Sequence, residues 1–566
     1  DITISQSNIA GTTYTDVTDT PIRPTTGNYN NKLTCNKIYT EGTNPNSIFL
    51  TRIIQDSVDS TDDAFVIEEN VEAKFIVDGP TQIKTIKLPE TSTLDMTGKN
   101  IHDVLYIKNA SSSQCYKISN GNDKTGSATF NNLLIQAYRH DILLYNKNSY
   151  TEYLNMNDCI YNNQYVDTMC HIAIRVKNVN ITNSEINLIG ATGYGGVVFE
   201  NVKNVKLTGG VVTNVSGGST YGRTFLSGVE NIELNDAILT ENLRNSISGG
   251  TYYENLDITV SPKTVTLNGN SQFNSNYRYM FRDKLILNDT SSINIGDDNN
   301  PGYLFAPNIE VNDQAKINSA NVIIAGYYNF TTEVTTKNEL LNKLSQNISI
   351  KDGKDETGLK INGGTVNAKE FIGGDVNATI EINGGIINSN KIGTAGKLFG
   401  FAKYIPKVGE EYVYTYAKIP SKGTKVIINS GIVNISKNGY LGGMNGQVYI
   451  NGGKINLESN SYIGINETDT TKLVNSITSQ GNTPNELVNI NVTGGTVEGE
   501  NAFINAPYST IEINATTNNP AIQTKEVIAD NGTVNIRGSK NHYDNPLGEG
   551  ERVGIIVNQD LIAQNI

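Results

Sequence analysis

The chain of 566 residues has no tryptophan, and only 5 methionines, 4 histidines and 4 cysteines. It is also short of positive charge: 44 Lys and Arg stand against 57 Asp and Glu, a net charge of −13 with a pI near 5.0. Each shortage disfavours a class of function. The acidic balance argues against nucleic acid or an anionic membrane as partner, since both reward a basic patch. Among Cys35, Cys115, Cys159 and Cys170 no two form a CxxC pair, which argues against a zinc site. Two disulfides in an oxidising compartment fit these four, and so do four buried thiols. His102, His140, His171 and His542 are scattered; "HIAIRVKNV" (171–179) places a basic pair after a histidine but reads as structural. No apolar run approaches the roughly 20 residues of a membrane-spanning helix. The opening "DITISQSNIA" has neither an initiator methionine nor an apolar signal segment, so it reads as a processed mature terminus or an artificial start.

What the chain has in excess is asparagine, 78 residues, with 53 glycines and 29 tyrosines. Val, Ile, Thr and Tyr suit a pleated surface, while Asn and Gly tolerate left-handed turn positions. The N-x-S/T triplets are about as frequent as this composition gives by chance, so they carry no argument for glycosylation.

The excess is organised. "INGG" occurs at 361–364, 382–385 and 450–453, with "INSG" at 428–431, "VTGG" at 492–495 and "LTGG" at 207–210. The anchors Asn362, Asn383, Asn429, Asn451, Thr493 and Asn514 are separated by 21, 46, 22, 42 and 21 residues. These are single or double turns of about 21, one of them lengthened by the tyrosine-rich segment 397–422. A period of 20–30 residues with strand composition marks a solenoid. An alternating strand ("LKIN", "IEIN", "VYIN") precedes each anchor. A tight corner and a second short strand ("GGTVNA", "GGIINS", "GGKINL") follow it, and a third strand must close the coil. Looser copies run upstream, at "VDG" (77–79), "MTG" (96–98), "FNN" (130–132), "MND" (156–158), "ITN" (181–183), "LTG" (207–209), "LND" (234–236), "LNG" (267–269), "LND" (287–289) and "VND" (311–313).

With these turns the chain resembles the right-handed parallel β-helix superfamily, which includes pectate lyases, polygalacturonases, phage tailspikes and bacterial surface proteins. The resemblance is carried by the "INGG"-type corners over most of residues 70–566 and by no catalytic motif. It implies an all-β fold, a right-handed parallel β-helix of roughly 18–20 turns with a few loop or hairpin insertions and one short helix. Turns stacked at about 4.8 Å would give a length of about 95 Å. Stacked anchor amides would form a structural ladder through Asn362, Asn383, Asn429, Asn451, Thr493 and Asn514.

Residues 1–45 lack the repeat and read as an N-terminal arm. Residues 46–330 read as irregular turns, 331–350 as a helical excursion or boundary carrying the amphipathic "TTKNELLNKLSQ" (335–346), and 351–566 as regular turns with insertions at 397–422 and 467–487.

Pectin-degrading relatives need acidic residues stacked on neighbouring turns. The outward position two before each anchor reads Lys360, Glu381, Ile427, Tyr449, Asn491 and Glu512, with no adjacent carboxylates. Lys360–Glu381 and Lys206–Glu233 read as cross-strand pairs instead. "VSGGSTYG" and "GATGYGG" lack the Lys-Ser/Thr of a phosphate loop. Acidic loops at 56–63 and at Asp297 and Asp298 offer oxygen ligands that suit Ca²⁺, or are solvated turns. Five residues past the anchors, Asn367, Asn388, Asn434 and Asn456 form an outward file that is either a polysaccharide-binding row or solubilising surface. Tyr412, Tyr414 and Tyr416 offer aromatic faces for sugars or for packing.

Three functions remain. The first is a non-enzymatic extracellular structural or adhesive surface protein. It would self-associate into a fibre or surface layer, with Ile2 and Ile4 on an N-terminal strand given to a neighbour's edge. The second is a monomeric polysaccharide-binding adhesin, and the third a polysaccharide lyase or glycoside hydrolase.

Overall fold

In the computed structural model the chain divides into two compact units, Asp1–Gly249 with Thr259–Ser275, and Gly250–Ile258 with Asn276–Ile566. Apart from single positions, the structure describes residues 150–166, 171–190, 202–216, 229–243 and 262–275 of the first. Of the second it describes 278–297, 302–325, 358–374, 378–394, 424–479 and 487–537, and isolated strands are described elsewhere in both. Nearly all of these residues are β-structure. The strands stack in parallel, an arrangement compatible with a β-solenoid.

In the first unit, strands Thr151–Asn157, Val176–Thr182, Asn204–Thr208, Asn231–Asn235 and Thr264–Asn268 pair in sequence order. The register sets Leu154, Val179, Val205, Ile232 and Val265 in one column and Met156, Ile181, Leu207, Leu234 and Leu267 in a second. All ten are buried. The strand after each corner adds the buried column Tyr161, Ile186, Val212, Leu239 and Phe273. Alternation along each strand makes these columns: with a period of two, every second residue faces inward, and parallel in-register pairing sets like over like.

In the second unit each regular repeat contributes three strands. Their inward columns are Leu359, Ile380, Val426 and Val448 on the first, Val366, Ile387, Val433 and Ile455 on the second, and Ile372, Ile392, Leu441 and Ile463 on the third. Each such side chain, fully buried, contributes about 1.5–3 kcal/mol.

One expectation is corrected. The register aligns Asn131 with Asp95, so the corner residue of that repeat is Asp95 and not Thr97 of "MTG". The Thr97-Gly98 pair two residues downstream imitates a corner. Inside 467–487 a helix forms at Glu467–Thr478. It is capped by Asn466, whose Oδ1 accepts from the Asp469 N–H at 2.8 Å. The segment 335–346, where the sequence points to a helix, lies outside the described residues. Within 397–422, strands Gly400–Tyr404 and Val413–Thr415 pair antiparallel. Among the described residues no helix is long and apolar enough to cross a membrane.

Candidate functional site

The site is built from the corners outward. Between the first and second strands of a repeat the chain must reverse pleat within a few residues, which takes a left-handed residue. Asp158, Asn183, Asp236, Asp289 and Asp313 supply it upstream, with φ between 46° and 58°. Gly364, Gly385, Gly431, Gly453 and Gly495 supply it downstream, with φ between 70° and 91°. The upstream "ND" and downstream "NGG" are thus two solutions of one backbone problem. Crowding adds a further demand, since a Cβ on Gly364 would meet Ala315 O at 2.0 Å.

The anchor before each corner points its amide along the stack. Asn362 Nδ2 donates to Asn312 Oδ1 at 2.8 Å, Asn383 to Asn362 at 3.1 Å, Asn429 to Asn383 at 2.8 Å and Asn451 to Asn429 at 2.9 Å. Thr493 Oγ1 then donates to Asn451 Oδ1 at 3.0 Å. Asn514 follows a register shift after the Val492–Ile513 pair.

A second file runs beside it on the outward face of the second strands. Asn367 donates to Asn318 at 2.8 Å, Asn388 to Asn367 at 2.7 Å, and Asn434 to Asn388 and Asn456 to Asn434 at 2.6 Å each. The register then places Glu498 over Asn456, and Lys454 Nζ lies 2.8 Å from Glu498 Oε2.

This second file floors a groove of about 670 Å³. One wall is the connection from second to third strand. In one repeat that connection is Asn390 alone between paired positions; in the next it is residues 436–439. The longer connection rises beside the shorter and is tied to it, with Asn390 Nδ2 donating to Ser436 Oγ at 3.1 Å and to Lys437 O at 2.9 Å. Glu458 closes the end of the groove, its Oε2 accepting from the Lys437 N–H at 2.8 Å, and a smaller cavity of about 310 Å³ continues past it to Glu500. The sequence placed the four asparagines in a row. It gave no sign of the wall, because the connections that build it follow no motif.

Charged pairs decorate the first-strand faces. Lys206 Nζ lies 3.1 Å from Glu233 Oε1, and Glu233 is held below the usual carboxylate range chiefly by the hydrogen bond from Asn235, with Lys206 adding to it against partial burial. Lys360 and Glu381, expected to pair, stand opposite one another in the register but form no ion pair. Glu381 instead accepts from Asn383 at 3.0 Å, while Lys360 helps to depress Glu310, which is bridged by Lys284 at 2.9 Å. Lys360 stands between two glutamates in the register.

The other candidates are dispersed. Val413–Thr415, which includes Tyr414, is an edge of the antiparallel pair; Tyr412, Tyr416 and the Tyr414 side chain lie outside the described residues. Asp297 is exposed, Asp298 lies outside the described residues, and no group of three metal-ligating side chains occurs among the described ones. Ile2–Thr3 pairs in parallel with Ile38–Tyr39 of the same chain; Ile4 is not among the described residues. Cys159 is a buried thiol, its Sγ 3.3 Å from Asn157 O, and the other cysteines are not among the described residues. No protein-family model, curated protein or solved structure gives a match to the chain.

Proposed function

We propose that the chain is a right-handed parallel β-helix serving as a non-enzymatic structural or adhesive protein outside the cell or on its surface. What supports this reading is the pair of amide files. The outward side chains at two positions of each regular repeat are committed to bonding one repeat to the next. A surface spent on axial cohesion suits a load-bearing scaffold, and the groove beside it suits adhesion. Self-association into a fibre or layer belongs to this reading. Negative-stain microscopy of the purified chain tests it: filaments or sheets are expected, and a monomer at every concentration removes the assembly part. Loss of polymer on deleting residues 1–10 would assign assembly to the N-terminal strand. Release of unsaturated or reducing ends from polysaccharides would overturn the non-enzymatic reading.

A further inference from the structure

We propose that the groove over Asn367, Asn388, Asn434 and Asn456 holds an extended neutral glycan strand bearing hydroxyl or acetamido groups, and turns polyuronates away. The proposal rests on the reading of this chain as an adhesive scaffold and names what it adheres to.

The first argument is the donor and acceptor inventory. A carboxamide has two N–H donors and two carbonyl lone pairs. The file uses one of each to reach its neighbours. Every repeat therefore presents a donor and an acceptor side by side. A hydroxyl or an acetamido group can answer both. A carboxylate only accepts, so it can use the donor of each pair but leaves the carbonyl oxygen unanswered.

The second argument is charge. In register, the file of amides ends at Glu498, and Glu458 stands at the adjoining corner. Lys454 neutralises Glu498 from outside the groove lining, while Lys369 is the cation at the other end. A uronate polymer lying along the file would bring its carboxylates onto Glu458, the groove carboxylate that no ion pair among the described residues neutralises, where like charges repel. A neutral chain meets no such cost.

The third argument is spacing and order. The amides recur once per repeat, at about the 4.8 Å separation of adjacent strands, close to the advance of one sugar ring in an extended chain. The wall is already braced by the bonds from Asn390 to the 436–439 connection. Binding would therefore pay little to order it.

The test is affinity electrophoresis of the full chain in native gels cast with soluble neutral glycans (a mixed-linkage glucan, a galactomannan, a xyloglucan) or with polygalacturonate. Retardation by a neutral glycan and none by polygalacturonate is expected. Ser436→Trp, which sets a bulky side chain in the groove wall while leaving the four asparagines in place, should weaken retardation by about tenfold, the worth of one or two hydrogen bonds. Circular dichroism melting establishes that the variant is folded. Ser436→Lys, a second rim variant, should gain retardation by polygalacturonate. Equal retardation by polygalacturonate and neutral glycans in the parent chain overturns the assigned chemistry but leaves the adhesive reading. No retardation by any polymer, or full retardation of a folded Ser436→Trp, overturns the site itself. The scaffold reading is decided separately, by microscopy.

Discussion

Asn434 donates to Asn388 at 2.6 Å across 46 residues of sequence, while Asn388 donates to Asn367 at 2.7 Å across 21. The insertion leaves the bond unchanged, so the file is set by the stacking of strands and not by the length of chain between them. Asn388 gives one amide bond and receives one. Asn456 gives one to Asn434 and is followed by Glu498, which has no proton to give when ionised. Asn388→Ala is expected to cost about 1–3 kcal/mol in urea unfolding and Asn456→Ala about half as much, following the count of bonds lost. Equal losses would show that the file does not act through its individual bonds.

The two glycines of "NGG" are not equivalent. Gly453 sits at φ 79°, and Gly452 does not occupy that region. In the repeat beneath, Ser430 takes the place of Gly452, and its hydroxyl donates to Asn383 O. A Cβ on Gly452 would still meet Asn429 O at 2.3 Å, while Gly453 adds the left-handed φ to a contact with Gly431 O at 2.9 Å. Gly452→Ser, through crowding, and Gly453→Ser, through backbone strain, should therefore each cost about 1–3 kcal/mol. Thermal melts of the two variants check this, and a variant that melts like the parent would refute the role given to that glycine.

Glu310 is held below the usual carboxylate range, first by its hydrogen bond from Lys284. A depressed folded-state pKa contributes stability that is complete above the unfolded value and is lost as pH falls through the folded one. Lys284→Met should thus destabilise by about 0.2–1 kcal/mol at pH 7 and by nothing measurable once Glu310 is protonated in both states. Denaturant titrations at pH 7 and below pH 3 measure the difference; a penalty that persists in acid would place the effect in packing.

Asn466→Ala removes the cap of Glu467–Thr478, leaving the Asp469 N–H without its side-chain acceptor. The expected cost is about 1 kcal/mol, confined to this helix. Hydrogen exchange should quicken across 467–478 while the strands on either side keep their protection. A global loss would mean that the helix is integral to the stack.

The corners could be read in the sequence because they impose a backbone demand that few residues meet. A hydrophobic residue, then a polar one, then Asn, Asp or Gly at a left-handed position is a local signature, and Asn157, Thr182, Thr208, Asn235 and Asn268 fall opposite one another in the pairing. Asp95 was missed because the Thr97-Gly98 pair two residues on offers a second possible corner. The third strands left a weaker trace. Lys391 pairs with Tyr440 although one connection before it is a single residue and the other is four, so no fixed spacing announces them. The four asparagines of the groove were readable for the same reason as the corners, by recurrence. The wall of Asn390 and Ser436 was not, since it exists only where unequal connections lie side by side. Lys206 found Glu233, while Lys360, opposite Glu381, left that carboxylate to Asn383; which side-chain partner wins is a choice that a linear reading cannot make.

The indifference of the stacked amides to the segment between residues 394 and 424 has a wider meaning. A residue's address in this fold is its layer and its column, and the chain number is only a record of how the layers were threaded. Segments parked between layers can be lengthened, exchanged or decorated while every stacked partner stays the same. Such a protein can change what it shows to its surroundings by rewriting its margins, without solving its interior again.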